Sequence, residues 1–264
     1  MAASHPLAPE SPVGLLVDGR RLATLMCTPL DLDELAAGHL LGRGIVGRRE
    51  DLKILAVCPD QKSVRAETVS GRGALLEPEG LVYSACGAAS LPPAALRAEG
   101  EGAAAAAAPG ARDFSVFMQE LKAWSLAMFE AAELYRATGG LHVAALACLA
   151  APPRGGAAGP GSLPYFVVRE DVGRHNAVDK VLGRGLLDGA DFSRSVLLTS
   201  GRIAADMAQK AAKAGLPVLV SRSIPTTEAY AFAREAGITL IGRIGTPSPI
   251  VYTRPELVRP EAKE

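Results

Sequence analysis

Short apolar runs alternate with helix-length segments along the C-terminal half of the chain. The apolar runs predict five buried strands, at residues 141–149, 165–168, 195–199, 217–220 and 238–241. Segments of mixed polarity between them predict three helices, at residues 176–187, 203–214 and 226–236. Apolar strands separated by helices indicate an α/β fold with a mostly parallel sheet that is covered on both faces.

The N-terminal part has a different pattern, because its apolar runs are short and lie close together. Four strands are predicted there, at residues 13–17, 22–26, 53–58 and 63–69. Asp18-Gly19 separates the first two and is a strong signal for a two-residue hairpin turn. Thr28 and Pro29 suit the cap and the first position of a helix that runs through Leu40. These elements predict a smaller β-rich subdomain before the α/β domain.

A stretch rich in alanine and glycine divides the two parts, and an apolar stripe follows it. The stripe comprises Phe114, Phe117, Leu121, Trp124 and Met128. Steps of three and four residues predict a core helix that ends near Thr138-Gly139-Gly140. The predicted organisation is a disordered N-terminus at 1–12, an α+β part at 13–98, a linker at 99–112, an α/β domain at 113–255 and a tail at 256–264.

Composition narrows the classes of partner. The chain carries 28 basic and 28 acidic side chains, so it has no overall basic field for nucleic acid or an acidic membrane surface. We expect no signal peptide, because residues 1–12 lack a basic segment followed by an apolar one, and no apolar run is long enough to span a bilayer. Four scattered cysteines without metal-ligand spacing are typical of a protein from a reducing cytosol.

Polar segments follow the predicted strands at the edge where parallel sheets bind ligands. Residues 169–180 read REDVGRHNAVDK and open a helix directly after an apolar strand. Asp171, His175 and Asp179 are spaced by four, so a carboxylate could orient the imidazole on one helix face. The same residues could instead form a capping and salt-bridge cluster, with Asp171 as the cap and Lys180 as an exposed partner. Both interpretations stay open on these residues.

Two further strand exits carry hydroxyl groups and an arginine. Thr199-Ser200-Gly201-Arg202 lies between a strand and a helix, and residues 221–227, SRSIPTT, do the same one strand later. A small residue, a glycine and an arginine at a helix N-terminus suit phosphate or another anion, although each segment would also make an ordinary capped turn. Three such exits in one sheet favour a phosphate-bearing ligand. His142 begins a strand after two glycines, where a lone histidine is more often a hydrogen-bonded structural residue.

Cys86 is the cysteine that lies in a small-residue loop and not in an apolar run. The residues after Tyr83 are too small to cover a sulfur atom: Ser84, Ala85, Gly87, Ala88, Ala89 and Ser90. A reactive thiolate needs partial exposure and stabilising surroundings, whereas many structural thiols are buried. The local sequence alone leaves both interpretations open.

These segments together resemble the FdhD family, the formate dehydrogenase accessory sulfurtransferases. The matching segments are Thr28-Pro29, Cys86-Gly87, residues 138–142 (TGGLH), residues 170–180 (EDVGRHNAVDK), Ser200-Gly201-Arg202 and residues 251–255 (VYTRP). The resemblance spans about residues 13–255, nearly the whole chain.

The resemblance implies a sulfur carrier with a cytidine-deaminase-like layered α/β fold. It implies that a cysteine, here Cys86, accepts sulfane sulfur as a persulfide from a cysteine desulfurase. The sulfur would pass to the molybdenum cofactor, Mo-bis(molybdopterin guanine dinucleotide), before that cofactor enters formate dehydrogenase. The resemblance also implies a cytoplasmic homodimer that binds the cofactor as a substrate, with no metal bound directly by the protein.

Eleven residues are candidates for binding the cofactor. Five lie at the strand exits, namely Arg174, His175, Ser200, Gly201 and Arg202. Six align with the family's cofactor-binding stretch, namely Arg243, Ile244, Gly245, Thr246, Pro247 and Ser248.

The sequence departs from the family pattern in two places. Ala89 stands where the family usually has a second cysteine, three residues after the first, which affects any step that needs a resolving thiol. A single thiolate can still carry a persulfide. The stretch from Arg243 to Ser248 has one arginine, displaced from the usual basic position. A cofactor chaperone that moves no sulfur is therefore the alternative hypothesis.

A zinc deaminase is the rival that the implied fold suggests. Such enzymes need a His-x-Glu element and a Pro-Cys-x-x-Cys element. His142 is followed by Val143-Ala144, and the sequence contains no Cys-x-x-Cys, so the ligand count excludes zinc chemistry.

Overall fold

The predicted hairpin opens the structure. The computed structural model describes residues 5–71, 73, 80–82, 114–152, 154 and 158–260. Strands β1 (Ser11–Val17) and β2 (Arg20–Cys27) are antiparallel and joined by Asp18-Gly19. Both turn residues have positive φ, 48° and 82°, as a type I′ turn requires.

The first sheet has five strands in the order β3-β4-β1-β2-β5. Strands β3 (Leu52–Val57) and β4 (Ser63–Thr68) confirm the two predicted strands, and a third, β5 (Gly80–Val82), joins the sheet. β5 runs parallel to β2, with Val82 beside Leu25. The carboxyl ends of β2 and β5 therefore lie together.

The second sheet has six strands in the order β12-β11-β10-β9-β7-β8. Its strands are β7 (His142–Cys148), β8 (Tyr165–Asp171), β9 (Ser195–Thr199), β10 (Val218–Ser221), β11 (Thr239–Gly242) and β12 (Ile250–Val251). β8 to β11 all run in one direction, and β7 and β12 run against them. The predicted α/β architecture is thereby confirmed, with a mixed sheet in which four of the six strands share one direction and two of the five pairings are parallel.

Helices cover both faces of this sheet, as predicted. The helices are α1 (Leu32–Gly42), α2 (Met118–Ala131), α3 (Glu133–Thr138), α4 (Arg174–Asp188), α5 (Ala205–Ala214) and α6 (Thr227–Ala236). Alternate residues of β7 point to different cores: Leu146 packs with α1, α4, α5 and α6, whereas Ala145 packs with α2. The first core also includes Leu15 and Leu25 of the N-terminal sheet, so it joins the two sheets. No helix in the described ranges is long and apolar enough to cross a membrane.

Two helices begin at least three residues later than predicted. α1 starts at Leu32, after Asp31 in a left-handed conformation (φ 51°). Thr28 does not cap a helix, because its amide donates to Asp171 at the end of β8 and its hydroxyl accepts from the Val172 amide. α2 starts at Met118, because Val116–Phe117 forms a short strand, β6, beside β13 (Val258–Arg259). The stripe from Leu121 to Met128 is buried as predicted.

Only some of the predicted domain boundaries fall within the residues that the structure describes. β1 begins at Ser11, within the segment predicted as N-terminal, and β13 lies within the predicted tail. The predicted linker at 99–112 lies outside the described residues. The division into an N-terminal part and an α/β domain stays a prediction.

The crossing of α1 and α4 brings two backbones into direct contact. A Cβ added to Gly38 would lie 1.7 Å from the carbonyl oxygen of Asp179, and one added to Gly183 would lie 1.8 Å from that of Glu34. Neither position has room for a side chain. The two glycines therefore set how closely the N-terminal part approaches the second sheet.

Candidate functional site

Four strands of the second sheet end at one edge, which we call the carboxyl edge. It comprises the residues that follow β8 to β11, namely 172–175, 200–204, 222–226 and 243–249. Because these strands run in one direction, all eleven candidate cofactor-binding residues lie along this edge. The structure thus brings together two sets that are more than forty residues apart in sequence (residues 200–202 and 243–248).

Hydrogen bonds link the loops of the carboxyl edge to one another. The Ser221 hydroxyl donates to the Gly201 carbonyl oxygen over 2.6 Å and accepts from the Ser223 amide over 2.8 Å. The Arg243 amide donates to the Ser223 carbonyl oxygen over 2.8 Å, with Arg243 in a left-handed conformation (φ 57°). A non-glycine residue in that conformation is strained, and such strain clusters at functional sites.

The loop after β9 contacts the start of α4. A Cβ added to Gly201 would lie 2.9 Å from the Arg174 Cβ, so glycine is needed for this close approach. The Ser200 hydroxyl accepts from the Val143 amide over 3.0 Å, and the same oxygen lies 3.2 Å from His142 Nδ1. Burial and the charges of Arg174 and His175 lower the pKa of His142, so its imidazole is neutral at pH 7. His142 is hydrogen-bonded, as the sequence indicated.

His175 is oriented by a carboxylate that the sequence analysis missed. Its Nε2 lies 2.9 Å from Oδ2 of Asp206, in the first turn of α5. Burial alone would raise the pKa of Asp206, but the hydrogen bond and charge of His175 lower it to about 2. The hypothesis that Asp171 or Asp179 orients His175 is wrong, because both carboxylates pair with lysines. Nothing local marks Asp206, which lies thirty-one residues further along the chain.

Asp171 and Lys180 form a buried structural pair. The Lys180 ammonium lies 2.8 Å from Asp171 Oδ2, and both side chains are fully buried. Lys180 also donates to the Thr28 carbonyl oxygen over 3.0 Å, and Asp171 accepts from the Thr28 amide over 3.0 Å. The prediction of an exposed Lys180 is therefore wrong, because this lysine fastens the end of β2 to the end of β8.

The Asp179 carboxylate belongs to a second internal cluster. It accepts from Lys210 over 2.5 Å and lies 3.4 Å from His39 Nδ1. These three side chains join α4, α5 and α1. Asp179 therefore holds helices together and takes no part in the carboxyl edge.

Four arginines of the carboxyl edge have no acidic partner within 4.0 Å among the described residues. They are Arg174, Arg202, Arg222 and Arg243. The last three are exposed, and Arg174 Nε finds no hydrogen-bond partner in the described part of the chain. Guanidinium groups without counter-ions suit phosphate or another anion, and Arg174, Arg202 and Arg222 also lie at or just before helix N-termini.

Cys86 lies outside the described residues, as does Ala89. The strand that precedes it, β5, ends at Val82 beside Leu25, and Thr28 three residues later bonds the loop after β8. β5 therefore leads toward the carboxyl edge.

The described cysteines are Cys27, Cys58 and Cys148, and two of them are buried. Burial, with a smaller contribution from the charge of Asp171, raises the pKa of Cys27 to about 12. Cys27 is therefore a thiol at neutral pH and a poor nucleophile.

The fold and this edge define an α/β protein whose parallel strands end at a cluster of unneutralised arginines. Within that class, the chain belongs to the FdhD/NarQ family, whose model matches residues 8–259. The match covers both sheets and every described element, so the resemblance read from the motifs is confirmed.

Named relatives align with nearly the whole chain. The chain is 34% identical to "Sulfur carrier protein FdhD" of Mycolicibacterium paratuberculosis, over 98% of this chain and 93% of that protein. It is 33% identical to the protein of the same name from Shouchella clausii, over 96% and 90% of the two chains. A crystal structure described as a putative formate dehydrogenase accessory protein from Desulfotalea psychrophila matches with a TM-score of 0.71 and 26% identity, covering 97% and 91%. None of these comparisons assigns a cytidine-deaminase-like fold, which stays a prediction.

Proposed function

We propose that this protein is a sulfur carrier that acts through a persulfide on Cys86. A cysteine desulfurase supplies the sulfur, and the substrate that receives it is Mo-bis(molybdopterin guanine dinucleotide), before its insertion into formate dehydrogenase. The observation that carries the proposal is the alignment of relatives named as sulfur carriers over at least 94% of this chain.

The loading step needs only one accessible thiolate. The Cys86 thiolate attacks the outer sulfur of the donor persulfide, a new sulfur–sulfur bond forms, and the donor cysteine leaves as a thiolate. The reaction is an exchange that consumes no oxidant, and it needs no second cysteine. The alanine at position 89 is therefore compatible with loading.

The carboxyl edge suits the phosphates of the substrate. Arg174, Arg202 and Arg243 have no carboxylate partner among the described residues and follow three different strands. Cys86 follows β5 by four positions in the sequence. β5 ends beside β2, and Thr28 after β2 bonds the loop that follows β8.

The test is mass spectrometry of the Cys86 peptide after incubation with a desulfurase and cysteine. We expect one additional sulfur atom on this peptide, removed by a reducing agent. Cys58→Ala is the matched control, because Cys58 is partly exposed on the turn after β3 and should not affect loading. A Cys86 peptide that stays unmodified while the desulfurase itself is loaded would contradict the proposal.

A cofactor chaperone without sulfur transfer is the second candidate, favoured by the open arginines at the carboxyl edge. Complementation of a strain that lacks the endogenous relative separates the two functions. A sulfur carrier with Cys86→Ala should give no active formate dehydrogenase, whereas a chaperone with the same substitution should still give active enzyme. The homodimer, the desulfurase contact and the formate dehydrogenase contact are parts of this proposal.

A further inference from the structure

Arg222 is an exposed arginine whose side chain is held by an aromatic ring and not by a carboxylate. Its guanidinium carbon lies 4.9 Å from the centre of the Phe129 ring, in the last turn of α2. Such a contact is a cation–π interaction, which orients a guanidinium plane without neutralising its charge. Among the described residues Arg222 has no acidic partner.

The ring that holds Arg222 is itself fixed to the end of β8. Phe129 packs against Tyr135, with ring centres 5.4 Å apart. The Glu170 carboxylate accepts from the Tyr135 amide over 2.5 Å and from the Leu134 amide over 3.1 Å. Glu170 is the residue before Asp171 in β8, so the start of α3 and the aromatic pair are tied to the carboxyl edge.

The backbone of Arg222 is fixed within the same edge. Its amide donates to the Thr199 carbonyl oxygen over 3.2 Å. A Cβ added to Gly245 would lie 3.7 Å from both Cγ and Nε of Arg222, so the side chain runs beside the stretch from Arg243 to Ser248. Arg222 therefore occupies the gap between the loops after β9 and β11.

We propose that Arg222 is a phosphate-binding residue of the carboxyl edge and that Phe129 is the residue that positions it. The inference rests on the proposed function, since it takes the ligand to be a nucleotide that carries a diphosphate. The fork of the guanidinium can donate two hydrogen bonds to one phosphate while its face stays on the ring. The side chain is thus held ready for an anion before the ligand arrives, which lowers the entropy lost on binding.

The structure contains a matched control for this arrangement. Arg259 is also exposed and lies 5.7 Å from the centre of the Phe117 ring, at the other end of α2. Phe117 and Phe129 are twelve residues apart, which corresponds to about 18 Å along the axis of α2. Arg259→Gln removes the same kind of contact away from the carboxyl edge.

The experiment measures the dissociation constants of guanosine diphosphate and of guanosine by calorimetry, with the full-length protein at low and high salt. We expect Arg222→Gln to weaken guanosine diphosphate binding about tenfold and to leave guanosine binding unchanged. The affinity of this variant should also depend less on salt, because one ionic contact is lost. Arg259→Gln should bind both ligands as the wild type does.

Two further variants separate charge from positioning. Arg222→Lys keeps the charge but loses the fork and the planar face, so it should recover only part of the affinity for guanosine diphosphate. Phe129→Leu keeps the arginine but removes the aromatic ring that positions it. This variant should therefore weaken guanosine diphosphate binding by a smaller factor than Arg222→Gln does.

Equal affinity of Arg222→Gln and the wild type for guanosine diphosphate would overturn the inference and leave the proposed function standing. If Arg222→Gln weakened guanosine binding as much as guanosine diphosphate binding, the inference would also be overturned, because the effect would then not depend on the phosphates. A wild-type protein that binds no guanosine diphosphate would overturn both the inference and the nucleotide ligand of the proposed function, whereas the persulfide test on Cys86 does not involve Arg222.

Discussion

The charges between the two sheets and the charges at the carboxyl edge are arranged in opposite ways. Inside, Asp171 pairs with Lys180, Asp179 with Lys210 and Glu34 with Arg169, at distances from 2.5 to 2.8 Å. At the carboxyl edge, four arginines follow four strands of one sheet, and none of them has a carboxylate partner among the described residues. An unpaired charge is costly in the interior and tolerated in solvent. The difference separates charged residues that hold the fold together from arginines whose charge no described carboxylate neutralises.

The largest expected effect comes from breaking an interior pair. Lys180→Met leaves Asp171 buried without a counter-ion and removes the bond to the Thr28 carbonyl oxygen, so we expect the free energy of unfolding to fall by about 3–5 kcal/mol. Urea denaturation measures this. Lys53→Met, at an exposed position of β3, should change it little. A loss below about 1 kcal/mol would show that this pair does not hold β2 to β8.

The next effect comes from the helix crossing. Gly183→Ala places a Cβ against the Glu34 carbonyl oxygen, so α1 and α4 must separate, and we expect destabilisation by about 1–3 kcal/mol. Gly42→Ala is the control, because its Cβ would meet only the flexible Lys210 side chain at 3.0 Å. Thermal denaturation compares the two. Equal melting temperatures for the variants would contradict a tight crossing.

At the carboxyl edge we expect a change in binding and not in stability. Arg202→Ala removes one exposed guanidinium without leaving a carboxylate unpaired, so affinity for guanosine diphosphate should fall about tenfold while the unfolding midpoint stays constant. Arg154→Ala is the control, since Arg154 pairs with Glu50 on the surface. Unchanged affinity by calorimetry would remove Arg202 from the site.

The smallest effect concerns the ion pair between His175, at the carboxyl edge, and Asp206, in the first turn of α5. The pKa of Asp206 is about 2 in the folded protein and 3.8 as a reference, so the stability that the pair contributes is present above pH 4 and is lost as the pH falls toward 2. Asp206→Asn should lower the free energy of unfolding by about 0.5–1 kcal/mol at pH 5. The effect is small because solvent screens the Asp206 carboxylate, which is 36% exposed. The difference from the wild type should shrink below pH 4 and be small near pH 2. A difference that persists there would mean that packing, not charge, is responsible.

The sequence predicted the elements well because their signals are local. The run at 195–199 is a strand with the predicted bounds, and the hairpin at Asp18-Gly19 forms as its turn residues indicate. The helix expected at Thr28-Pro29 begins at Leu32, because the cap residue bonds a segment more than 140 residues away. The reversed direction of β7 depends on its pairing with β8 and β9, which no local pattern records.

The sequence allowed the candidate residues of the site to be predicted, but not the ion pairs that they form. A glycine and an arginine after a strand are visible in sequence, and the structure places Gly201 and Arg202 at the carboxyl edge. The partner of His175 is not visible in the sequence, since Asp206 lies on a different helix and approaches His175 only through the tertiary fold. Lys180 was misjudged for the same reason, because nothing in its own helix shows that Thr28 will cover it.

The contact between Gly38 and Gly183 has a mechanical consequence for how the two sheets can move. The axes of α1 and α4 cannot slide past each other without parting two backbones and separating His39 from Asp179, which lie 3.4 Å apart across this crossing. A hinge that swings one sheet relative to the other would have to break both. The distance between the end of β5 and the arginines of the carboxyl edge would then stay constant.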